Sequence, residues 1–259
     1  MADAIHEEYD DRMLKLLQII WGEGFLSPGG PQAVREIVAG LDLKDKSVLD
    51  IGCGLGGLAE VLAGEFGARV VGVDVAKLIV EMGQARIAQS AVRDRVEIRL
   101  IEPGPLPFET GRFDVVFGKD AWLHIPDKAG FFAEVFRVLK PGGVVTCGDW
   151  MKAPGPYSAD MEYFFKMEGL TYNLVTLAEY GRLVHGAGFE DVALQDITEW
   201  YQAVAGEELA RMKGPLFDLL TREIGAEGRD FFIEDWRSLT VVLDRGELRP
   251  ARMRARKPS

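Results

Sequence analysis

The chain is expected to form an α/β domain, a mostly parallel sheet covered by helices on both faces, and two features of its order predict this. From Ser47 onward, apolar runs too short for helices alternate with segments of helical periodicity. The first of these runs passes directly into the glycine-rich turn "VLDIGCGLGG", Val48 to Gly57, and then into a helix. Short right-handed crossovers would place the C-terminal end of every parallel strand on one edge of the sheet.

In chain order, Tyr9, Met13, Leu16, Leu17 and Ile20 recur at helical spacing and predict an amphipathic helix that ends near Gly22 and Gly24. The turn-rich "GFLSPGGP" follows, then a helix with Val34, Ile37, Val38 and Leu41 on one face. Strands are predicted at residues 47–51, 69–73, 96–101, 113–117 and 144–147. The helices between them carry Leu58, Val61 and Leu62, then Ile79 and Met82, then Phe131, Phe132, Val135 and Leu139. After Trp150 the texture becomes rich in Pro, Gly and aromatics; Thr176 with Glu179 then opens a helix through a capping box. "HGAGFEDVALQDI" reads as helix end, turn and strand, two helical stretches follow at 207–224 and 231–245, and a strand-like tail surrounds Met253.

Composition narrows the function classes. A net charge of −11 disfavours an electrostatic nucleic-acid binder, which needs a basic face. The basic C-terminal cluster around Arg252, Arg254 and Arg256 reads as a solvated edge. The first residues lack the pattern of a signal peptide and no apolar run reaches bilayer length, so a cytoplasmic protein without membrane partners is expected. Cys53 and Cys147 are far apart in strand-like contexts and read as buried free thiols, with no metal site indicated.

The glycine turn lets a ligand approach the backbone and the free amides of a helix N-terminus. By itself it fits a dinucleotide site equally well. Three acids shift the balance. Asp50 lies just before Gly52 and Gly54, where it would repel a pyrophosphate but suit an ammonium group; Asp74 ends the second strand, where a carboxylate can accept from both ribose hydroxyls; Glu102 closes the third strand, where an adenine would lie. A nucleoside with an attached amino acid and no phosphate fits this set, and S-adenosylmethionine is such a ligand.

The motifs "LDIGCGLGG", "GVDVA", "FDVVFGKDAWLHI" and "RVLKPGG" together resemble the class I S-adenosylmethionine-dependent methyltransferases. The resemblance implies a Rossmann-like, seven-stranded methyltransferase sheet, mostly parallel with an antiparallel last strand. The flanks, "YDDRMLKLLQIIWGEGFLSPGG", "YNLVTLAEYGRLVHGAGF" and the last helix with Trp236, are similar to small-amine N-methyltransferases of the phosphoethanolamine type and to sarcosine and dimethylglycine N-methyltransferases. On that pattern a single domain is expected: a helical lid at 1–30, a cofactor-binding core at 31–150, cap helices at 151–188 and 200–246, and closing strands at 189–198 and 251–257.

The resemblance also implies roles. His124 and Tyr9 would form a catalytic pair that closes over the cofactor; Leu26, Ser27, Asp50, Gly52, Asp74, Val75, Glu102 and Lys119 would contact the cofactor. Gly54 joins them as part of the glycine turn. On the acceptor side, Asp120 is expected to hold the substrate's ammonium end, with Trp122, Trp150 and Tyr172 enclosing it and Tyr157 and Tyr163 as either further walls or packing residues. His185, in a helix C-terminal turn, and His6 read as structural or surface. The phosphate-binding arginine of the family corresponds to Leu170, an upstream tyrosine to Lys166, and a tyrosine after the fifth strand to Trp150. A phosphate dianion needs several charged partners out of water, so phosphoethanolamine itself is disfavoured and the acceptor is expected to be a small amine: an amino acid, a partly methylated amine or a phosphobase-like acceptor. Transfer to oxygen, sulfur or carbon of a small secondary metabolite, and a non-catalytic cofactor-binding protein, are the competing readings; the chain would be a monomer or a homodimer.

Overall fold

A computed structural model describes residues 11–259. In chain order the elements are α1 (Asp11–Trp21), α2 (Gly30–Ile37), β1 (Ser47–Ile51), α3 (Gly57–Gly64), β2 (Arg69–Asp74), α4 (Lys77–Ala88), β3 (Val96–Leu100) and β4 (Phe113–Lys119). A 3-10 turn (Trp122–His124) leads to α5 (Lys128–Val138), β5 (Leu139–Asp149), α6 (Ala159–Glu168), α7 (Leu177–Gly186), β6 (Glu190–Asp196), α8 (Thr198–Lys213), α9 (Phe217–Asp244) and β7 (Ala251–Arg256). Among the described residues the strands form one seven-stranded sheet in the order β3-β2-β1-β4-β5-β7-β6, with β7 antiparallel to both neighbours. The predicted mixed sheet with an antiparallel last strand is therefore the fold, and the five predicted core strands all form.

Strand order reverses beside β1: the chain runs outward through β2 and β3, then returns to place β4 on the other side of β1. At such a switch point the loops leaving neighbouring strands diverge and open a crevice at the carboxyl edge. The turns after β1, β2, β4 and β5 all lie there.

One face of the sheet is covered by α2, α3 and α4, through Val34, Ile37, Leu58, Leu62, Val80 and Ile87. The other is covered by α5 and α7, through Phe132, Val135, Tyr180 and Val184. The helix opened by Thr176 thus belongs to the sheet-covering layer, not to the cap. Its hydroxyl accepts the Glu179 amide at 3.2 Å, as the capping pattern predicts. Thr176→Ala should cost about 1 kcal/mol of stability, read by urea unfolding.

The cap is a third cluster, in which α1, α6, α8 and α9 bury Leu16, Ile20, Phe164, Tyr201, Trp236 and Leu239. Its helices differ from the predicted pair. The first begins at Thr198, directly after β6, and the second spans Phe217–Asp244 with its helical conformation broken at Gly225. Gly225 adopts φ 79°, a conformation only glycine takes without strain, so the helical conformation breaks directly after the predicted end at 224 and then resumes as far as Asp244. In α1, Leu14 packs on Leu55 of the glycine turn and Ile79 of α4, so this helix lies over the carboxyl edge of the sheet.

Candidate active site

The glycine turn leaves β1 with φ 81° at Gly52, and the amides of Gly52 and Cys53 both donate to the Val73 carbonyl, at 2.9 and 3.1 Å. A methyl group on Gly52 would lie 2.3 Å from the Ala121 side chain. Glycine is required there because two loops, one after β1 and one after β4, meet at backbone distance.

Two carboxylates border this turn. Asp74 accepts the Gly54 amide on one oxygen at 3.0 Å and the Ala76 amide on the other at 3.1 Å. Burial raises its pKa above the usual carboxylate value, and the amides of Ala76, Gly54 and Val75 oppose the rise. A carboxylate has about four lone-pair positions on its two oxygens, so acceptor capacity remains for a diol. Asp50 is fully buried, and neither oxygen has a hydrogen-bond partner among the described residues. Its pKa lies well above the ordinary range, first through burial and then through the charge of Asp74. A buried polar atom without a partner is costly, and an ammonium group would satisfy it. The glycine turn, the acid with spare acceptor capacity and the unpartnered buried acid fit a ligand of the kind of S-adenosylmethionine.

Across the crevice, β4 ends in a tight turn. Asp120 adopts φ 49°, a left-handed conformation that aspartate tolerates better than most residues, and its amide donates to the Gly148 carbonyl at 2.9 Å. The following 3-10 turn is tied from below. The buried Lys128 ammonium donates to the carbonyls of Trp122 at 3.1 Å and Ile125 at 2.9 Å, and Asp149 accepts the Leu123 amide at 3.1 Å. Burial lowers the pKa of Lys128 and raises that of Asp149 to about 7, the latter rise being opposed by the Lys128 charge. From above, Asn173 donates its side-chain amide to the His124 carbonyl at 2.9 Å.

These ties hold His124 with its Nδ1 2.8 Å from the Thr171 carbonyl. A carbonyl only accepts, so Nδ1 carries the hydrogen and the neutral ring has its free lone pair on Nε2. Burial lowers the His124 pKa below its usual value; the Thr171 hydrogen bond and the carboxylates Asp120 and Asp74 pull the other way, while Lys128 adds to the lowering. Beside the imidazole stands Tyr172, with ring centroids 5.4 Å apart, and Trp150 lies parallel to Tyr172 at 6.3 Å. A neutral imidazole, an aromatic wall and the cradle around Asp50 and Asp74 thus share one edge of the sheet.

Residues 49–147 match the methyltransferase-domain family. Over 231 residues the chain is 32% identical to phosphoethanolamine N-methyltransferase 1 of Zea mays, covering 89% of this chain and 45% of that relative. The solved phosphoethanolamine N-methyltransferase 2 of Haemonchus contortus, in complex with phosphomonomethylethanolamine and S-adenosylhomocysteine, superimposes with a TM-score of 0.91 at 26% identity, over 99% of this chain and 60% of that one. The chain belongs to the class I S-adenosylmethionine-dependent methyltransferases. It spans about half the length of the curated plant relatives it matches, 45% in the maize case. A putative sarcosine dimethylglycine methyltransferase from Galdieria sulphuraria shares the fold, with a TM-score of 0.81 at 20% identity over 96% of this chain and 98% of that one.

Within this methyltransferase several predicted site residues fall elsewhere than expected. Trp122 is buried in the core against Phe131 and Phe132 and donates its indole N–H to the Ile51 carbonyl at 3.1 Å, so it does not line the acceptor side. The reason is helical geometry: residues two apart in a 3-10 turn project about 120° apart, so Trp122 and His124 point to different sides. Lys119 is buried, with its ammonium on the Ser27 hydroxyl at 2.6 Å and on the Asp120 carboxylate, rather than open to a ligand. Asp120 in turn accepts from the Tyr201 hydroxyl at 2.6 Å, so its charge is already neutralised and it is not a free holder of a substrate ammonium.

Leu26 packs beside Gly54, Val75 is exposed at the end of β2, and Glu102 is exposed beyond the end of β3. Trp150 and Tyr172 do come together, whereas Tyr157 and Tyr163 are exposed and engage Lys152 and Glu234. His185 sits in the last turn of α7. Tyr9 and His6 lie outside the described residues.

Tyr201, Lys128 and Asp149 were not singled out by sequence. None belongs to a motif, and Tyr201 reaches the site only because α8 folds back over the sheet edge. Tyr201→Phe leaves the buried Lys119–Asp120 pair one donor short and should destabilise the fold by about 1–3 kcal/mol, measured by chemical denaturation.

Proposed function

We propose that the chain transfers the methyl group of S-adenosylmethionine to the nitrogen of a small amine, with His124 Nε2 taking the proton. The observation that carries this reading is the fixed tautomer of His124. The Thr171 carbonyl holds the hydrogen on Nδ1 and burial favours the neutral ring, which leaves the Nε2 lone pair as a base on the turn after β4. The similarity to phosphoethanolamine N-methyltransferases supports the same assignment.

When bound, S-adenosylmethionine supplies a methyl on a sulfonium sulfur, whose carbon–sulfur bond breaks with its electrons kept by sulfur. Asp50 would hold the cofactor's ammonium, Asp74 its ribose hydroxyls, and Gly52 and Gly54 would let it approach the backbone. Leu26, Ser27, Val75, Glu102 and Lys119 would border it. The protein's task is alignment of nitrogen, methyl and sulfur. Trp150 and Tyr172 would flank the amine, and His124 Nε2 would receive the proton that leaves nitrogen as the nitrogen–carbon bond forms. Asp120 would act through its ion pair, keeping Lys119 and Tyr201 in place at the turn. Tyr9 would complete the closure over the site. No helix among the described residues is long and apolar enough to cross a membrane, and a small-molecule acceptor matches the enclosed aromatic surroundings of His124.

The test is incubation with methyl-labelled cofactor and pooled amines, phosphoamines, phenols and thiols. Label in an amine is the expected result. Label only in a phenol or thiol, or tight cofactor binding with no labelled product, overturns the assignment.

A further inference from the structure

Two carboxyl groups near Tyr172 are not used by the proposed reaction. Glu168 is the last residue of α6, and Asp235 lies on α9, which packs against it. The two helices are pinned together nearby by the Tyr163 hydroxyl on Glu234 at 2.9 Å and by Arg245 on Asp160. Asp235 is only 5% exposed, and one of its carboxylate oxygens has no hydrogen-bond partner. Glu168 hydrogen-bonds to Tyr172, the same residue whose ring stands 5.4 Å from His124.

The acidic pair therefore lies at the far end of the tyrosine that borders the proposed base. Among the described residues neither carboxyl forms an ion pair with a lysine or arginine; the neighbouring Arg229 and Arg237 are engaged by Asp230 and Glu234. Aromatic rings pack around the same tyrosine, with Phe165 stacked on Tyr172 at 5.0 Å and Phe164 at 5.9 Å from it.

Two carboxyl groups in low dielectric without a cation are unfavourable, and each resists ionising. Burial raises Glu168 to about 8, helped by the charge of Asp235, and burial raises Asp235 to about 7. A ligand cation seated between them would relieve the repulsion and gain cation–π contact with the rings. Once ionised, the pair would repel a phosphate dianion. The positions that the family resemblance assigns to phosphate binding hold Leu170, Trp150 and the exposed Lys166.

We propose that the acceptor carries a second cationic group, as an aliphatic diamine does, and that Glu168 and Asp235 hold this group beside Tyr172 while the other nitrogen faces His124. This rests on the methyl-transfer reading above and names the acceptor class for the same site.

The experiment compares kcat/KM for 1,3-diaminopropane and 1,4-diaminobutane with that for butylamine and phosphoethanolamine. Calorimetric binding of the same diamines is measured in the presence of S-adenosylhomocysteine. The expected result is at least a tenfold preference for a diamine, expressed mainly in KM, and its erosion by at least tenfold in Asp235→Asn and Glu168→Gln. Cofactor affinity in the two variants reports whether the fold is retained, and the double variant retaining cofactor affinity without diamine preference would give the same support. Equal or better turnover of butylamine or phosphoethanolamine overturns this inference and leaves methyl transfer intact. If no amine is methylated, the methyl-transfer reading falls; diamine binding that is lost in Asp235→Asn would then still support the cationic subsite, and absence of diamine binding would overturn it.

Discussion

His124→Ala should lower kcat by about 10²–10⁴-fold while leaving the affinity for S-adenosylhomocysteine within about threefold of the parent chain. The asymmetry follows from position. His124 lies on the turn after β4, whereas the proposed cofactor contacts are the loop after β1 and the acid ending β2. Single-turnover kinetics with labelled cofactor reads the rate and calorimetry reads the affinity. The parent chain should also show an acid limb in kcat/KM, since Nε2 cannot accept a proton once the ring is cationic. Burial lowers the His124 pKa, so the midpoint should fall below the usual 6.5. The same shift has a stability consequence of defined sign. Between the folded value and 6.5 the unfolded chain binds more protons, so His124 makes stability decline as pH drops through that window. Turnover of His124→Ala within about threefold of the parent would remove this residue from the proton step.

Asp74→Asn should raise the dissociation constant for the cofactor product by about 10²–10⁴-fold, which corresponds to loss of two charge-assisted hydrogen bonds at about 1.5–3 kcal/mol each. The carboxylate has a double duty: it accepts the amides of Gly54 and Ala76, and its remaining lone pairs are proposed to receive the ribose hydroxyls. An amide keeps the shape but turns one acceptor into a donor facing a donor. The glycine turn should therefore loosen as well, lowering stability by about 1–3 kcal/mol. Calorimetric titration with S-adenosylhomocysteine measures the first effect and urea unfolding the second. An affinity within threefold of the parent, in a variant that unfolds at lower denaturant, would assign Asp74 to loop structure alone.

Much of the architecture was readable from local pattern. The strands at 47–51, 69–73 and 113–117 are largely buried, so they carry short, mostly apolar runs between glycines and charged residues. The first matches β1 in full, and the second and third fall within β2 and β4. Boundaries failed where the pattern is weak. β5 begins at Leu139, earlier than the expected 144, because "LKPGG" pairs with its neighbour through a register shift that no periodicity announces. The second helix stops at Ile37 instead of reaching Leu41, since the turn before Gly40 ends it.

The sequence by itself determined the alternating fold, the glycine turn with Asp50 and Asp74 beside it, and the placement of His124 after a central strand. Each depends on residues close together in the chain, where backbone preference and strand polarity act directly. The tertiary structure alone decided the partners. Lys119 neutralises Asp120 because Tyr201 and Ser27 arrive from distant segments, and Trp122 turns into the core because a 3-10 turn separates it from His124. Glu168 and Asp235 meet only because α6 packs on α9. The physical reason is the short range of desolvation and hydrogen bonding: a carboxylate's charge, pKa and availability depend on atoms within a few ångströms, and those come from segments that the sequence keeps tens of residues apart.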